Sequence, residues 1–108
     1  MRCQSTDEER LALPSLRVIR TKGEVLVVVC DQELFGKKFK QGELKLEVKE
    51  SFYRGTDASV EECLKALREA TIANLVGSIV WHAVKVGIIE RANVLKIKNV
   101  PHAQLFRF

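Results

Sequence analysis

ATIANLVGSIVWHAVKVGII, residues 70–89, holds a single charge, Lys85, and the way it folds decides the architecture of the chain. Its twenty residues match a bilayer span in length. Asn74, Ser78, His82, Lys85 and two glycines make it too polar for that reading, and no second span accompanies it. On a helical wheel, at about 100° per residue, the stretch sorts into three sectors. Ile72, Leu75, Val76, Ile79, Val80, Ala83 and Val86 form a wide apolar face. Thr71, Asn74, Ser78, His82 and Lys85 form a narrow polar stripe. Ala73, Gly77, Trp81 and Val84 make a flank between them. The pattern predicts a central helix over 70–86, covered on more than one side and ended by Gly87.

Working outward, Ser59 and Glu62 have the spacing of a capping box and open a helix over 60–69. Val60, Cys63, Leu64 and Leu67 are its core stripe, and Glu61, Lys65, Arg68 and Glu69 face water. Three strands precede it. Leu16–Thr21 and Glu24–Cys30 join through Lys22-Gly23 as a tight hairpin. VLVVVC is apolar at every position, which predicts burial on both faces. In Leu44–Lys49, Leu44, Leu46 and Val48 alternate inward against Lys45, Glu47 and Lys49. Gly36 and Gly42 mark turns between these strands. After the helices, Asn93–Lys98 returns as a strand, and an extended piece, Ala103–Phe108, follows Pro101. The expected fold is α+β: a two-layer sandwich of about five mainly antiparallel strands with two helices on one face, in the order β-β-β-α-α-β-β. Residues 1–14 form a flexible extension ending at Pro14, and 15–108 a single compact domain.

Hydrophobic residues are 46% and charged residues 30%, which suits a folded domain and not a disordered chain. Cys3, Cys30 and Cys63 are odd in number and lack metal-type spacing, as expected of reduced thiols. With two histidines and no Cys-x-x-Cys, neither a metal nor a cofactor is expected. No amino-terminal apolar run with a basic flank is present, so the expectation is a cytoplasmic protein without a membrane segment. The net charge is +4. Its basic excess lies in 15–55 and 88–108, the segments read as strands, and leans toward an acidic partner such as RNA.

Three blocks of this sequence, GEVLVVVCDQELFGKKFKQGELKLEV (23–48), EATIANLVG (69–77) and NVPHAQ (99–104), resemble an archaeal family known as domain of unknown function 424. The likeness runs from about Val18 to Leu105. It implies a compact α+β domain of the archaeal cytoplasm. No activity is established for that family, so the resemblance brings no catalytic residue.

Two functions compete. One is a non-enzymatic module contacting RNA or a ribonucleoprotein through a basic sheet face. Its candidates are Lys37, Lys38 and Lys40 around Phe39, Arg54 beside Phe52 and Tyr53, and the outward Lys45, Lys49, Lys96 and Lys98. Glu43, Glu47 and Glu50 interrupt that pattern, which equally describes a solvated face. The other is a small enzyme or ligand-binding protein. Its polar site would join His102 and Gln104 to Thr71, Asn74 and Ser78 on the helix stripe. Asn74 wants a partner for its amide, since asparagine in mid-helix has poor propensity. Against this, His102 and Gln104 also suit an architectural role, satisfying backbone groups where Pro101 breaks the chain between two strands.

Asp31 and Glu33 offer an acid–base pair, or Asp31 caps the turn that follows. Cys30 and Cys63 read as core thiols, and Gly77 as a close-packing position. A homodimer is expected, because two helices on one face leave the other bare, and the Ala73, Gly77, Trp81, Val84 flank is apolar.

Overall fold

The computed structural model describes residues 13–107. β1 (Pro14–Thr21) and β2 (Glu24–Asp31) form a full antiparallel hairpin from Pro14↔Asp31 to Thr21↔Glu24. Gly23, at φ 85°, makes its turn in a conformation that side chains disfavour. β1 therefore begins at Pro14, which the sequence assigns to the extension. Residues 1–12 lie outside the described residues. β3 (Lys38–Gln41) and β4 (Leu44–Glu47) pair as a separate two-stranded ribbon. A one-turn helix, α1 (Glu50–Tyr53), and a short strand, β5 (Thr56–Asp57), lead to α2 (Val60–Glu69). The Ser59–Glu62 capping box is closed in both directions, at 3.1 and 2.8 Å.

The stretch 70–89 departs from its wheel. Ile72–Val76 is a strand, β6, and only Ile79–Lys85 is helical, as α3. β6 lies in the sheet interior, parallel to β2 and antiparallel to β8 (Val100–Phe106), so the backbone bonds a helix would make internally are made to two neighbours. Apolar residues on both sides of a strand read equally well as a buried helix by periodicity, and only length and flanking residues such as Gly77 separate the two. Gly77 stops the strand. Its φ is 101°, and a Cβ there would sit 2.5 Å from Asp31 Cγ. Gly87, at φ 84°, follows the end of α3 as expected. The observed order is β-β-β-β-α-β-α-β-α-β-β, with β3, α1, β5 and the interior strand β6 added to the expected scheme.

The main sheet runs β5-β1-β2-β6-β8-β7, with β7 covering Leu95–Ile97. α2 and α3 cover one face, so the fold is α+β with helices stacked on a largely antiparallel sheet. Val27, Val29, Ala73, Leu75 and Ala103 meet Cys63, Leu67, Ile79, Val80 and Ala83 there. The other face is not bare. Val28, Cys30, Val76 and Ile97 are buried beneath Leu46, Val48 and Tyr53 from the ribbon and α1. Both faces of VLVVVC are thus covered within one chain.

The carboxy-terminal segment also differs from its reading. Pro101 does not separate two strands. It lies inside β8, and the β7–β8 turn is made by Lys98 and Asn99 at φ 51° and 68°. Gly77 N–H donates to Pro101 O at 2.9 Å, while Gly77 O turns to accept from Val80 N at 3.0 Å. The β6–β8 ladder therefore ends where proline has no N–H to give. Leu105 packs on the helix-side core, but Phe106 is 55% exposed and does not close a buried edge.

Candidate functional site

Alternation along β6 and β8 sends Asn74, Val76, His102 and Gln104 to the face opposite the helices, with Asn74↔Gln104 and Val76↔His102 in register. Asn74 and His102 are diagonal neighbours, and their side chains meet. His102 Nε2 lies 3.1 Å from Asn74 Oδ1, and Tyr53 Oη donates to the same oxygen at 3.2 Å. An amide oxygen only accepts, so His102 carries its proton on Nε2. Burial holds the His102 pKa below its ordinary value, and burial first, then Cys30, raises that of Tyr53. With donors arriving from both sides, Asn74 Oδ1 cannot pass a proton between them. The trio ties α1, β6 and β8 together and is not a relay. This is a partner different from the backbone groups expected for His102. Tyr53, 5% exposed, is the member that the sequence reading missed in this role. Its only cue there is a place beside Phe52 and Arg54.

The remaining polar candidates do not join this trio. Thr71 sits at the far end of β6, where Oγ1 accepts from Val25 N–H at 2.8 Å and donates to Glu24 Oε1 at 2.7 Å. Ser78 lies past the other end. Its N–H and Oγ donate to the two Asp31 carboxylate oxygens at 2.8 and 3.0 Å. Asp31 therefore holds the entry to α3 and does not cap the turn after it, where it makes no side-chain cap bond. Gln104 is exposed beside His102, and with Asn93, Leu95 and Phe106 they line an open hollow of about 340 Å³. The expected helix stripe of Thr71, Asn74 and Ser78 is thus a strand and its two flanks, whose polar groups serve three separate places. Cys30 and Cys63 are wholly buried, and burial pushes both thiols up to about 12, far from thiolate chemistry at neutral pH.

The basic candidates divide into two groups. Phe39 and Leu46, opposite each other in the ribbon, turn toward the second-face core. Lys38, Lys40, Lys45 and Glu47 therefore share its outer face, all exposed, around a hollow of about 290 Å³. Lys38 meets Glu47 at 4.0 Å, while Lys40 stands directly across from Lys45. Lys37 and Lys49 flank the ribbon, exposed. Arg54 bonds Glu50 and covers the Phe35 ring at 4.9 Å. Lys98, in its tight turn, comes near through its N–H, which donates to Gln41 Oε1 at 2.8 Å. Lys96 does not belong here. It is on the helix side of β7, above the Trp81 ring at 6.0 Å. The expected single basic face, with Lys45, Lys49, Lys96 and Lys98 side by side, is not what forms. Phe52 is exposed, but Tyr53 points inward and offers no stacking surface.

Among the described residues no three of His, Cys, Asp and Glu gather closely enough to hold a metal ion, and no helix is long and apolar enough to cross a membrane. A profile described as "Protein of unknown function (DUF424)" matches residues 19–108. The chain belongs to the DUF424 family. The DUF424 chain is also similar to a solved structure, the crystal structure of an uncharacterized conserved protein from Methanopyrus kandleri. The two share 25% identity and superpose with a TM-score of 0.71, over 90% of this chain and 96% of that one. No curated protein matches.

Proposed function

We propose that this DUF424 protein is a non-enzymatic cytoplasmic module that contacts RNA, free or in a ribonucleoprotein, through the β3–β4 ribbon. The observation that carries the reading is Lys40 opposite Lys45 on an exposed two-stranded face. Like charges directly opposite each other destabilise a ribbon. A phosphate backbone lying along it removes that cost and releases counterions. Lys38, Lys37 and Lys49 extend the positive strip, and Lys98 approaches its end. The absence of an evident nucleophile–base set among the described residues agrees with a binding role.

Charge contacts of this kind read backbone and not sequence. Affinity for single-stranded RNA should therefore be sequence-tolerant and fall steeply with salt. The test is filter binding of the full chain against Lys40→Glu/Lys45→Glu. About tenfold weaker binding or more is expected, with an unchanged thermal melt. Equal affinity would remove the ribbon from consideration.

A second reading has its own support, in the meeting of Asn74, His102 and Tyr53. In that reading a small polar ligand occupies the hollow beside His102 and Gln104, using His102 Nδ1 as an acceptor. Ligand-dependent chemical-shift changes confined to His102 and Gln104 would favour it over the ribbon.

A further inference from the structure

Trp81 lies on α3, half-buried on the helix side of the sheet, and two cations stand over it. Arg91, from the 3₁₀ turn 91–93, has its guanidinium carbon 5.6 Å from the ring centroid. Lys96, from β7, has its ammonium at 6.0 Å. With Val84 and Lys85 these residues line a hollow of about 420 Å³. Three consecutive elements thus bring three positive side chains to one hollow, two of them over its indole.

No carboxylate lines this hollow; Asp31 and Glu33 border the neighbouring one, which Trp81 also lines. None of the three cations is in an ion pair among the described residues; the ion pairs found there join Arg20 to Glu69, Lys38 to Glu47 and Arg54 to Glu50. The difference between indole and carboxylate as a partner matters. A carboxylate would orient a cation by cancelling its charge. The negative face of an indole orients it and leaves the charge whole. Trp81 therefore supports Arg91 and Lys96 while neither they nor Lys85 have an ion-pair partner among the described residues. Collecting like charges raises the energy of the free protein, and an anion entering the hollow lowers it. The guanidinium, flat and five-donored, suits a tetrahedral oxyanion better than a halide.

We propose that this hollow is a phosphate-binding site, taking a phosphate group either free or esterified in a nucleotide strand, with Arg91 and Lys96 as its donors, Lys85 at its rim and Trp81 as their support. It lies on the opposite side of β7 from the ribbon and does not rest on the ribbon's role. Trp81 is the only tryptophan in the chain, so its emission reports on the surroundings of this one indole, and the Arg91 and Lys96 variants separate this hollow from the neighbouring one that Trp81 shares with Asp31 and Glu33.

The experiment titrates the full-length protein at fixed ionic strength with inorganic phosphate, adenosine monophosphate and a short oligouridylate, following Trp81 emission. A saturable change is expected with at least one of them. Arg91→Glu and Lys96→Glu should each weaken it about tenfold or more. A response to inorganic phosphate identifies a free phosphate as sufficient, and a response to the oligomer alone identifies a strand phosphate. Arg91→Gln and Lys96→Gln serve as milder variants if a reversal lowers the melting temperature. Lys40→Glu/Lys45→Glu should keep the Trp81 response even where it loses RNA binding, so the two sites fail separately. No saturable change with any probe, or unaltered affinity in both Arg91 and Lys96 variants, would overturn the proposal.

Discussion

Two donors share the side-chain oxygen of Asn74, and that sharing sets the behaviour of His102. The imidazole is held neutral in the fold because burial penalises its charged form, while in the unfolded chain it titrates near its ordinary 6.5. The folded pKa is the lower one. Between the two values the unfolded state binds more protons, so stability rises with pH across that window. The contribution of His102 is complete above about pH 6.5 and is lost as pH falls through the folded value. Urea midpoints measured from about pH 5 to about pH 8 should show this slope in the wild type. His102→Ala should lower stability by about 1–2 kcal/mol at neutral pH, through the lost bond to Asn74, and flatten the slope. An equal slope in the variant would assign it to another group. That Asn74 needs a partner is legible in the sequence. The candidate site also joins His102 to it; that the two meet as diagonal neighbours on paired strands is not legible, because the pairing depends on a register linking residues 28 apart.

Between residues and fold stand the elements, and here the reading succeeds where one period dominates. Helix 60–69 carries its cap and stripe in consecutive positions, and Leu46 and Val48 alternate inward as expected, while Leu44, expected inward with them, is 42% exposed at the ribbon's turn. Residues 72–76 carry no such mark, since an interior strand is apolar on both sides and its pairing partners are distant. The one local hint is Gly77, unfavourable inside a helix but suited to the sharp exit at φ 101°. The β7–β8 turn was hidden for the opposite reason: Lys98 and Asn99 both adopt positive φ without a glycine to announce it. Gly77→Ala tests the junction. The new Cβ meets Asp31 Cγ at 2.5 Å and the backbone is strained as well, so the cost should be about 2–3 kcal/mol by chemical denaturation. In an Asp31→Ala background the same substitution should cost less, since the Cγ and Oδ2 contacts go and only the backbone strain and the 3.0 Å approach to Cβ remain. Strictly additive losses would show that the Asp31 contact is not what excludes a side chain there.

At the scale of the molecule, the ribbon and α1 change the case for self-association. The sequence motivates a dimer by leaving one sheet face bare, yet Val28 and Cys30 are fully buried beneath Leu46, Val48 and Tyr53 of the same chain. Trp81 and Val84, from the flank expected at the interface, surround a charged hollow instead. Two of the exposed large apolar side chains lie together elsewhere. Leu95 on the edge strand β7 and Phe106 near the end of β8 are 43% and 55% exposed and line one hollow with His102. A homodimer remains our proposal, now through this rim, where an unpaired three-residue edge also offers backbone groups. Sedimentation velocity at tens of micromolar should show it, since an affinity of about 1 μM requires only about −8 kcal/mol. Leu95→Lys/Phe106→Lys should return the protein to a monomer with its thermal melt unchanged, because neither side chain is in a core cluster. A wild-type monomer at that concentration, or a variant that still dimerises, would take the rim out of the argument and leave the ribbon and the Trp81 hollow as surfaces of a single chain.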